Sequence, residues 1–169
     1  MPATEPEPAE RLRTEDMPWI PTSPGKSFRP LRFDAGGWSE LMRLEPGSLV
    51  ARHRHTGHVH AFNLSGSRRI LETGEIVGPG DHVYEAAGLV DAWESVGDRP
   101  CIVHLKILGA VEYLDAEDQV IDIADAGSQR RTYLAWCEQH HTEPVTQIIG
   151  LTSRDEAVLP AGANQSVGA

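Results

Sequence analysis

The stretch ARHRHTGHVHAFNLSG, residues 51–66, contains four of the eight histidines of this 169-residue chain. They are His53, His55, His58 and His60, and a Thr-Gly turn signal separates the two H-x-H pairs. Residues two apart in a β-strand share a face. The stretch therefore predicts two strands joined by a turn, each with a pair of imidazoles on one face.

The two faces of the first predicted strand, SLVARHRH at residues 48–55, differ in polarity. Two of the three residues on one face are arginines, whereas Leu49 and Ala51 share the other face with His53 and His55. We therefore expect the histidine face to point inward, where two imidazoles are the beginning of a metal site. The alternative is a polar cross-strand ladder without a metal.

Short predicted strands, separated by clusters of Gly, Asp and Pro, continue on both sides of this stretch from residue 28 to residue 122. Many short strands at this spacing are typical of an all-β sandwich or barrel. The predicted strands are residues 38–44, 48–55, 58–65, 68–72, 81–85, 91–95, 101–108 and 110–114.

The ends of the chain differ from this pattern. Residues 1–17 are rich in Pro, Glu and Ala and are predicted to be a mobile tail, followed by a Pro-rich extended arm along a sheet edge. A helix is predicted from Ser128, which can cap it. We place one domain with its C-terminal helix at residues 18–141. We expect residues 142–169 to form a partly ordered extension, in which 145–153 is a candidate strand.

The bulk composition excludes several classes of partner. The net charge of −10 disfavours nucleic acids and anionic membranes, because both bind basic surfaces. The apolar runs are far shorter than a membrane span, and no charged-then-apolar leader opens the chain, so we expect no secretion signal. Cys101 and Cys137 lack CxxC spacing, and we expect them to be reduced in a cytoplasmic protein.

The histidine stretch resembles the first motif of the cupin superfamily, G-x5-H-x-H followed by Glu and then Gly. Gly47 precedes His53 and His55 at this spacing, and Gly66 follows. His60 stands where the family has Glu.

The second cupin motif, G-x5-P-x-G-x2-H-x3-N, is matched in part by residues 80–95. Gly80 and Gly88 are in step, whereas Ala86 replaces Pro, Asp91 replaces His and Ser95 replaces Asn. The wider sequence, from residue 19 to residue 140, resembles the branch that contains 2,4'-dihydroxyacetophenone dioxygenase and acetylacetone dioxygenase.

This resemblance implies a small jelly-roll-like β-barrel that holds one divalent metal ion in its interior. In the dioxygenase branch three histidines bind iron(II), dioxygen takes an open position, and a carbon–carbon bond next to a carbonyl is broken. Two of these ligands fall on His53 and His55, and the third falls on Asp91. The resemblance also implies a homodimer, for which the Pro-rich arm is the candidate contact.

The substitution at Asp91 leaves three alternatives open. Asp91 can complete the two-histidine, one-carboxylate triad of non-haem iron oxygenases. The metal can instead bind His53, His55 and His60, or the barrel can bind a ligand without a metal. Glu72 and Glu85, predicted on neighbouring strands, are candidate acid/base residues or anchors for a histidine, unless they are simply solvated carboxylates.

Three functions are consistent with this pattern. The first is an iron(II) dioxygenase that acts on a small carbonyl or phenolic compound, with Zn, Mn or Ni as alternative metals. The second is an isomerase, cyclase or hydro-lyase that uses the metal as a Lewis acid. The third is a sensor similar to zinc-binding cupins of the anti-sigma-factor type. Those proteins carry a helical domain before the cupin, and the Pro-rich segment before Trp19 is too short for one.

Overall fold

The computed structural model describes residues 9–149, which form an all-β, jelly-roll-like fold with a C-terminal helix and an extended N-terminal arm, as predicted. All eight predicted strands are present within two residues of their expected bounds, and four further strands join them. The strands are β1 Ile20–Ser23, β2 Lys26–Asp34, β3 Gly37–Leu44, β4 Leu49–His55, β5 Val59–Ser65, β6 Ser67–Ile70, β7 Ile76–Val77, β8 His82–Glu85, β9 Val90–Val96, β10 Cys101–Leu108, β11 Val111–Leu114 and β12 Val120–Ala124.

The strands form two six-stranded antiparallel sheets. The first has the order β1-β2-β3-β10-β5-β8 and the second has the order β12-β11-β4-β9-β6-β7. One apolar core lies between them, to which the first sheet contributes Trp38 and Leu105 and the second contributes Val50 and Trp93. The inward residues of both sheets therefore face a common interior.

The Pro-rich arm lies along a sheet edge, where β1 pairs with β2. A 3-10 turn, Thr14–Asp16, precedes it, and Met17, the last residue of the predicted tail, is buried in the core. The chain ends in α1 Ala126–Gln139 and α2 Thr146–Ile149. The candidate strand at 145–153 is thus helical over Thr146–Ile149, and its last four residues lie outside the described part of the chain.

Helix α1 begins two residues before the predicted cap. Asp125 has extended backbone angles, and its side chain accepts a hydrogen bond from the amide of Ser128 at 2.7 Å. The Ser128 hydroxyl in turn accepts the amide N–H of Asp125 at 2.8 Å. Ser128 is therefore the third helical residue of a capping box, and Asp125 is the N-cap. No helix within residues 9–149 is long and apolar enough to cross a membrane.

Strand β4 contains a bulge that reverses its alternation. Val50 pairs with Trp93 of β9 and His53 pairs with Asp91, so β4 has one residue more than β9 over this interval. Val50, His53 and His55 are buried, whereas Leu49 is 54% exposed. The prediction that Leu49 and Ala51 share the interior face with the histidines is therefore wrong, although both histidines point inward.

Candidate metal centre

Two neighbouring strands of the second sheet bring His53, His55 and Asp91 together. The two histidines end β4, and Asp91 lies near the start of β9, directly opposite His53. The turn before β9 contains Gly88, whose φ of +86° is a conformation that favours glycine. The amide of Gly88 donates to the carbonyl of His55 at 2.7 Å, which fixes the position of β9 beside the histidines.

The ligating atoms of these three residues converge in the interior. Nε2 of His53 lies 3.1 Å from Nε2 of His55 and 3.1 Å from Oδ1 of Asp91. Nε2 of His55 lies 4.0 Å from the same carboxylate oxygen. All three residues are buried, with at most 4% of the surface of each exposed. One ion can therefore be reached by two imidazole nitrogens and one carboxylate oxygen at the same time.

The hydrogen bond of His53 to the backbone leaves a lone pair on its Nε2, the atom that faces His55 and Asp91. The carbonyl of Ala51 can only accept, so Nδ1 of His53 carries the hydrogen of their 2.8 Å contact. Burial lowers the pKa of His53 to about 4, so the ring is neutral at neutral pH and Nε2 is unprotonated. With Asp91 ionised, at most one hydrogen, on His55, is available to the three converging atoms. A cation would satisfy the remaining electron pairs.

The buried polar atoms that lack hydrogen-bond partners within residues 9–149 include two atoms of the candidate ligands, Oδ1 of Asp91 and Nδ1 of His55. Buried polar atoms are rarely left without a partner, and such cases call for an explanation. Imidazole nitrogens and a carboxylate oxygen are together a suitable ligand set for a divalent transition metal. The site therefore fits the metal that the cupin resemblance implies, and Ala51 supplies the outer hydrogen bond that orients a ligating histidine.

A second carboxylate borders the site from the opposite sheet. Oε2 of Glu85, at the end of β8, lies 3.0 Å from Nε2 of His55. Burial alone would raise the pKa of Glu85, but His55 and then Arg68 hold it below its usual value. Burial and the negative charge of Glu85 raise the pKa of Asp91 to about 6. The two carboxyl groups therefore differ in proton affinity although both are buried.

The histidines open onto a small cavity between the two sheets. Its volume is about 60 Å³, which accommodates a few water molecules or part of a small ligand. The walls are mainly apolar and include Phe28, Trp38 and Trp93, while His53, His55, Glu85 and Glu40 contribute polar groups. An apolar cavity with a few convergent polar groups is typical of a small-molecule site.

The second histidine pair does not reach this cavity. In β5 the buried residues are Val59, Ala61 and Asn63, so His60 is exposed on the outer face of the first sheet. Its Nδ1 lies 3.2 Å from Nε2 of His82, another exposed histidine. The alternative ligand set of His53, His55 and His60 is therefore not formed, because the strand places His60 on the opposite side of the sheet from the interior.

The prediction that Glu72 and Glu85 lie on neighbouring strands is wrong. Glu72 lies in the turn after β6 of the second sheet, whereas Glu85 belongs to the first sheet. The carboxylate of Glu72 is exposed and accepts the backbone amide of Ala92 at 3.1 Å. Glu72 thus holds β9 from outside the cavity, and only Glu85 borders the three candidate ligands.

Two buried charged residues of the site were missed by the sequence analysis. Arg68 is fully buried, lies 4.7 Å from the centre of the Trp93 ring, and approaches Glu85 to 3.6 Å. Nothing in the sequence distinguishes it from its exposed neighbour Arg69. Glu40 accepts the indole N–H of Trp38 at 2.8 Å. The burial of Glu40 could have been predicted from the sequence, because Glu40 interrupts the apolar inward face of β3.

Comparison with known proteins agrees with this fold. An RmlC-like cupin protein from Ralstonia eutropha superposes with a TM-score of 0.78 at 25% identity, over 85% of this chain and 96% of that one. An acetylacetone dioxygenase from Acinetobacter johnsonii superposes with a TM-score of 0.70 at 17% identity, over 79% and 96%.

The anti-sigma factor ChrR of Rhodobacter sphaeroides, solved in complex with SigE, is a more distant structural relative. Its TM-score is 0.50 at 22% identity, over 56% of this chain and 50% of that one. No functionally curated protein matches the chain. The family model described as the ChrR cupin-like domain matches residues 8–108. The chain therefore belongs to the ChrR cupin-like family.

Proposed function

We propose that this protein is a metal-dependent cupin enzyme, specifically a mononuclear non-haem iron dioxygenase that acts on a small carbonyl or phenolic compound. His53, His55 and Asp91 are the proposed ligands. The observation that carries the proposal is the convergence of two imidazole nitrogens and one unpartnered carboxylate oxygen, with both imidazoles lining a largely apolar cavity. Iron(II) bound there would supply open coordination positions for the substrate and dioxygen.

The residues around these ligands orient them and exclude water. The hydrogen bond to Ala51 keeps the His53 ring in the tautomer whose Nε2 faces the cavity. Phe28, Trp38 and Trp93 line the walls and limit the access of bulk solvent to the reacting atoms. A substrate with two adjacent oxygen donors, such as a 1,3-dicarbonyl compound or a hydroxyaryl ketone, suits a site with only three protein ligands.

The metal content of the purified protein is the first test. We expect about one transition-metal ion per chain in the wild type, a large loss in Asp91→Ala, and recovery in Asp91→His, which restores the third imidazole of the family motif. Metal retention unchanged in Asp91→Ala would remove Asp91 from the ligand set. Absence of metal from the wild type after addition of iron, zinc, manganese or nickel would contradict the enzyme proposal. The remaining assignment would be a cupin that binds a ligand without a metal.

Oxygen consumption tests the reaction class. The iron-loaded protein, assayed in an oxygen electrode with a panel of 1,3-dicarbonyl compounds and hydroxyaryl ketones, should consume dioxygen with at least one of them. The zinc-loaded protein is the control and should consume none. Conversion at equal rates with zinc, or in the absence of dioxygen, would contradict the dioxygenase proposal.

A non-redox reaction, in which the metal polarises a carbonyl oxygen, is the second candidate. The observation that favours it is the presence of two further buried carboxylates, Glu40 and Glu85, in the wall of the same cavity. Either is a candidate general base for an isomerase, cyclase or hydro-lyase. Oxygen-independent substrate conversion that is lost in Glu40→Gln or Glu85→Gln would support this assignment.

We further propose that the substrate is a small molecule and that the protein is a homodimer, with the arm at β1 as the contact. The arm lies at the edge of the first sheet, where unpaired backbone groups are available to a second chain. Light scattering coupled to size exclusion measures the mass directly. A monomeric mass at micromolar concentration would contradict the dimer and leave the enzyme proposal unaffected.

A further inference from the structure

The small cavity adjoins a larger outer groove, and six residues line both spaces. The groove has a volume of about 570 Å³ and lies beside β1, β11, β12 and the start of α1. The residues that line both spaces form a neck between them, and they are Thr22, Lys26, Val50, Tyr113, Ala124 and Gln129. A ligand that reaches the histidines from the groove passes these side chains.

Lys26 and Tyr113 place two hydrogen-bond donors at this neck. The ammonium group of Lys26 donates to the phenol oxygen of Tyr113 at 3.1 Å. The remaining N–H groups of Lys26 and the O–H of Tyr113 have no acceptor among the side chains of residues 9–149. The Tyr113 ring also lies 6.0 Å from the ring of His53, between centroids. The donors are therefore within the span of a small molecule from the candidate ligands.

Lys26 differs from the only other lysine of the chain, Lys106. Lys106 forms an ion pair with Asp34 at 2.6 Å, whereas none of the ion pairs among the described residues includes Lys26. The protein has a net charge of −10, so an unpaired cation at the entrance of a cavity makes the local potential more positive than the rest of the surface. Such a group attracts anions to the cavity.

The carboxylate that acts most directly on Lys26 from within the cavity wall is Glu40. It accepts a hydrogen bond from Trp38, and burial raises its pKa. Glu40 and Lys26 form no ion pair among the contacts of residues 9–149, so no direct carboxylate contact neutralises the ammonium group. The positive charge at the neck is therefore available to a ligand.

We propose that the Lys26 ammonium and the Tyr113 hydroxyl form a subsite that binds a carboxylate group of the substrate at the neck of the cavity. The substrate is then a small organic acid, with its carboxylate at the neck and its other end directed toward His53 and His55. The position of that second end rests on the proposed function, whereas binding of the carboxylate does not. Charge-assisted hydrogen bonds to both donors discriminate the acid from a neutral amide of the same shape.

Binding of benzoate and benzamide, measured by calorimetry, tests the subsite. Protein treated with a chelator should bind benzoate about tenfold or more tightly than benzamide, as expected for charge-assisted contacts. Lys26→Met should abolish this preference, Lys26→Arg should keep most of it, and Tyr113→Phe should reduce it. Lys106→Met removes a lysine that is already paired and should leave the preference unchanged.

Three results would overturn the proposal. One is an unchanged preference for benzoate in Lys26→Met that melts like the wild type. Another is the absence of benzoate binding to the wild type at millimolar concentration. The third is benzoate binding that requires added metal and is insensitive to Lys26→Met, because the carboxylate would then be on the metal. If instead the wild type binds no added metal while Lys26→Met loses the preference, the metal proposal fails and the subsite stands.

Discussion

The two H-x-H pairs of this chain have the same sequence signature and opposite environments. His53 and His55 are each 3% exposed and line the interior cavity, whereas His60 is exposed on the outer face of the neighbouring sheet. Only two residues, Thr56 and Gly57, separate the pairs. The chain changes sheets at this turn, from β4 of the second sheet to β5 of the first. An H-x-H pattern therefore identifies two imidazoles on one face and leaves open which face that is.

The surroundings of the pairs show what burial adds. The inner rings meet carboxylates, Asp91 at 3.1 Å from His53 and Glu85 at 3.0 Å from His55. The outer ring of His60 meets another exposed histidine and the ring of Tyr84, 5.3 Å away between centroids. Removed from water, nitrogen and oxygen lone pairs need a partner, whereas exposed ones are satisfied by solvent. The comparison therefore predicts different consequences for equivalent substitutions.

Removal of an inner histidine should have the largest effect. His53→Ala or His55→Ala should weaken metal binding on the order of 1,000-fold, because a binding free energy of about 10–16 kcal/mol divided among three protein ligands is about 3–5 kcal/mol for each. Titration with a chelator of known affinity measures the loss. His58→Ala and His60→Ala are the matched controls and should keep the wild-type affinity. Equal losses for both pairs would show that the inner pair does not bind the metal.

The neighbouring arginines Arg68 and Arg69 offer a second comparison between a buried and an exposed residue of the same type. Arg68 is fully buried beside Glu85, whereas Arg69 pairs with Glu94 on the surface. Arg68→Met should lower the free energy of unfolding by about 3 kcal/mol, because it leaves the Glu85 carboxylate buried without its cation. Arg69→Met should cost less than about 1 kcal/mol. Urea denaturation of both variants measures the difference, and equal costs would contradict the burial of Arg68.

The pH dependence of metal binding should separate Asp91 from the histidines. With a pKa raised to about 6, the Asp91 carboxyl is protonated below that pH and no longer available as a ligand. His53, with its pKa lowered to about 4, stays neutral over this range. Metal affinity should therefore fall by about fivefold between pH 6 and pH 5. Affinity that is constant from pH 7 to pH 5 would exclude Asp91 as a ligand.

The smallest effect is expected on the outer face. His60→Ala should change the free energy of unfolding by no more than about 0.5 kcal/mol, because the side chain is exposed. A double-mutant cycle with His82→Ala measures the coupling across their 3.2 Å contact, which should be equally small. A coupling of several kcal/mol that depends on added metal would show that the outer face also binds an ion.

Most of the fold could be predicted because strand formation is local. Alternating side chains and Gly, Asp or Pro turns mark the ends of β4, β9 and β10, and the observed strands agree within two residues. Strands β1, β2, β7 and β12 were missed. β7 has only two residues, and β1 and β2 contain prolines that obscure the pattern. Each of these segments pairs with a strand next to it in the chain, and this pairing, which its own side-chain pattern does not indicate, stabilises it.

The residues of the candidate site could be predicted only where they belong to a spaced sequence motif. His53, His55 and Asp91 were found because motif glycines at known spacing accompany them. Arg68 and Lys26 carry no local mark, since arginine and lysine are usually exposed. Their roles depend on contacts with Glu85 and Tyr113, which lie on other strands.

By itself the sequence determined the all-β class, the position of the strands and the presence of two imidazole pairs, because these depend on alternation and turn chemistry within a few residues. The sequence left open whether His60 joins the inner pair, and the tertiary structure alone decided that it does not. The bulge in β4 shifts the alternation of Val50 relative to His53, and the register of β9 places Asp91 opposite His53. One extra residue in a strand reverses the face of every side chain beyond it. Only the pairing of the strands shows where that residue is.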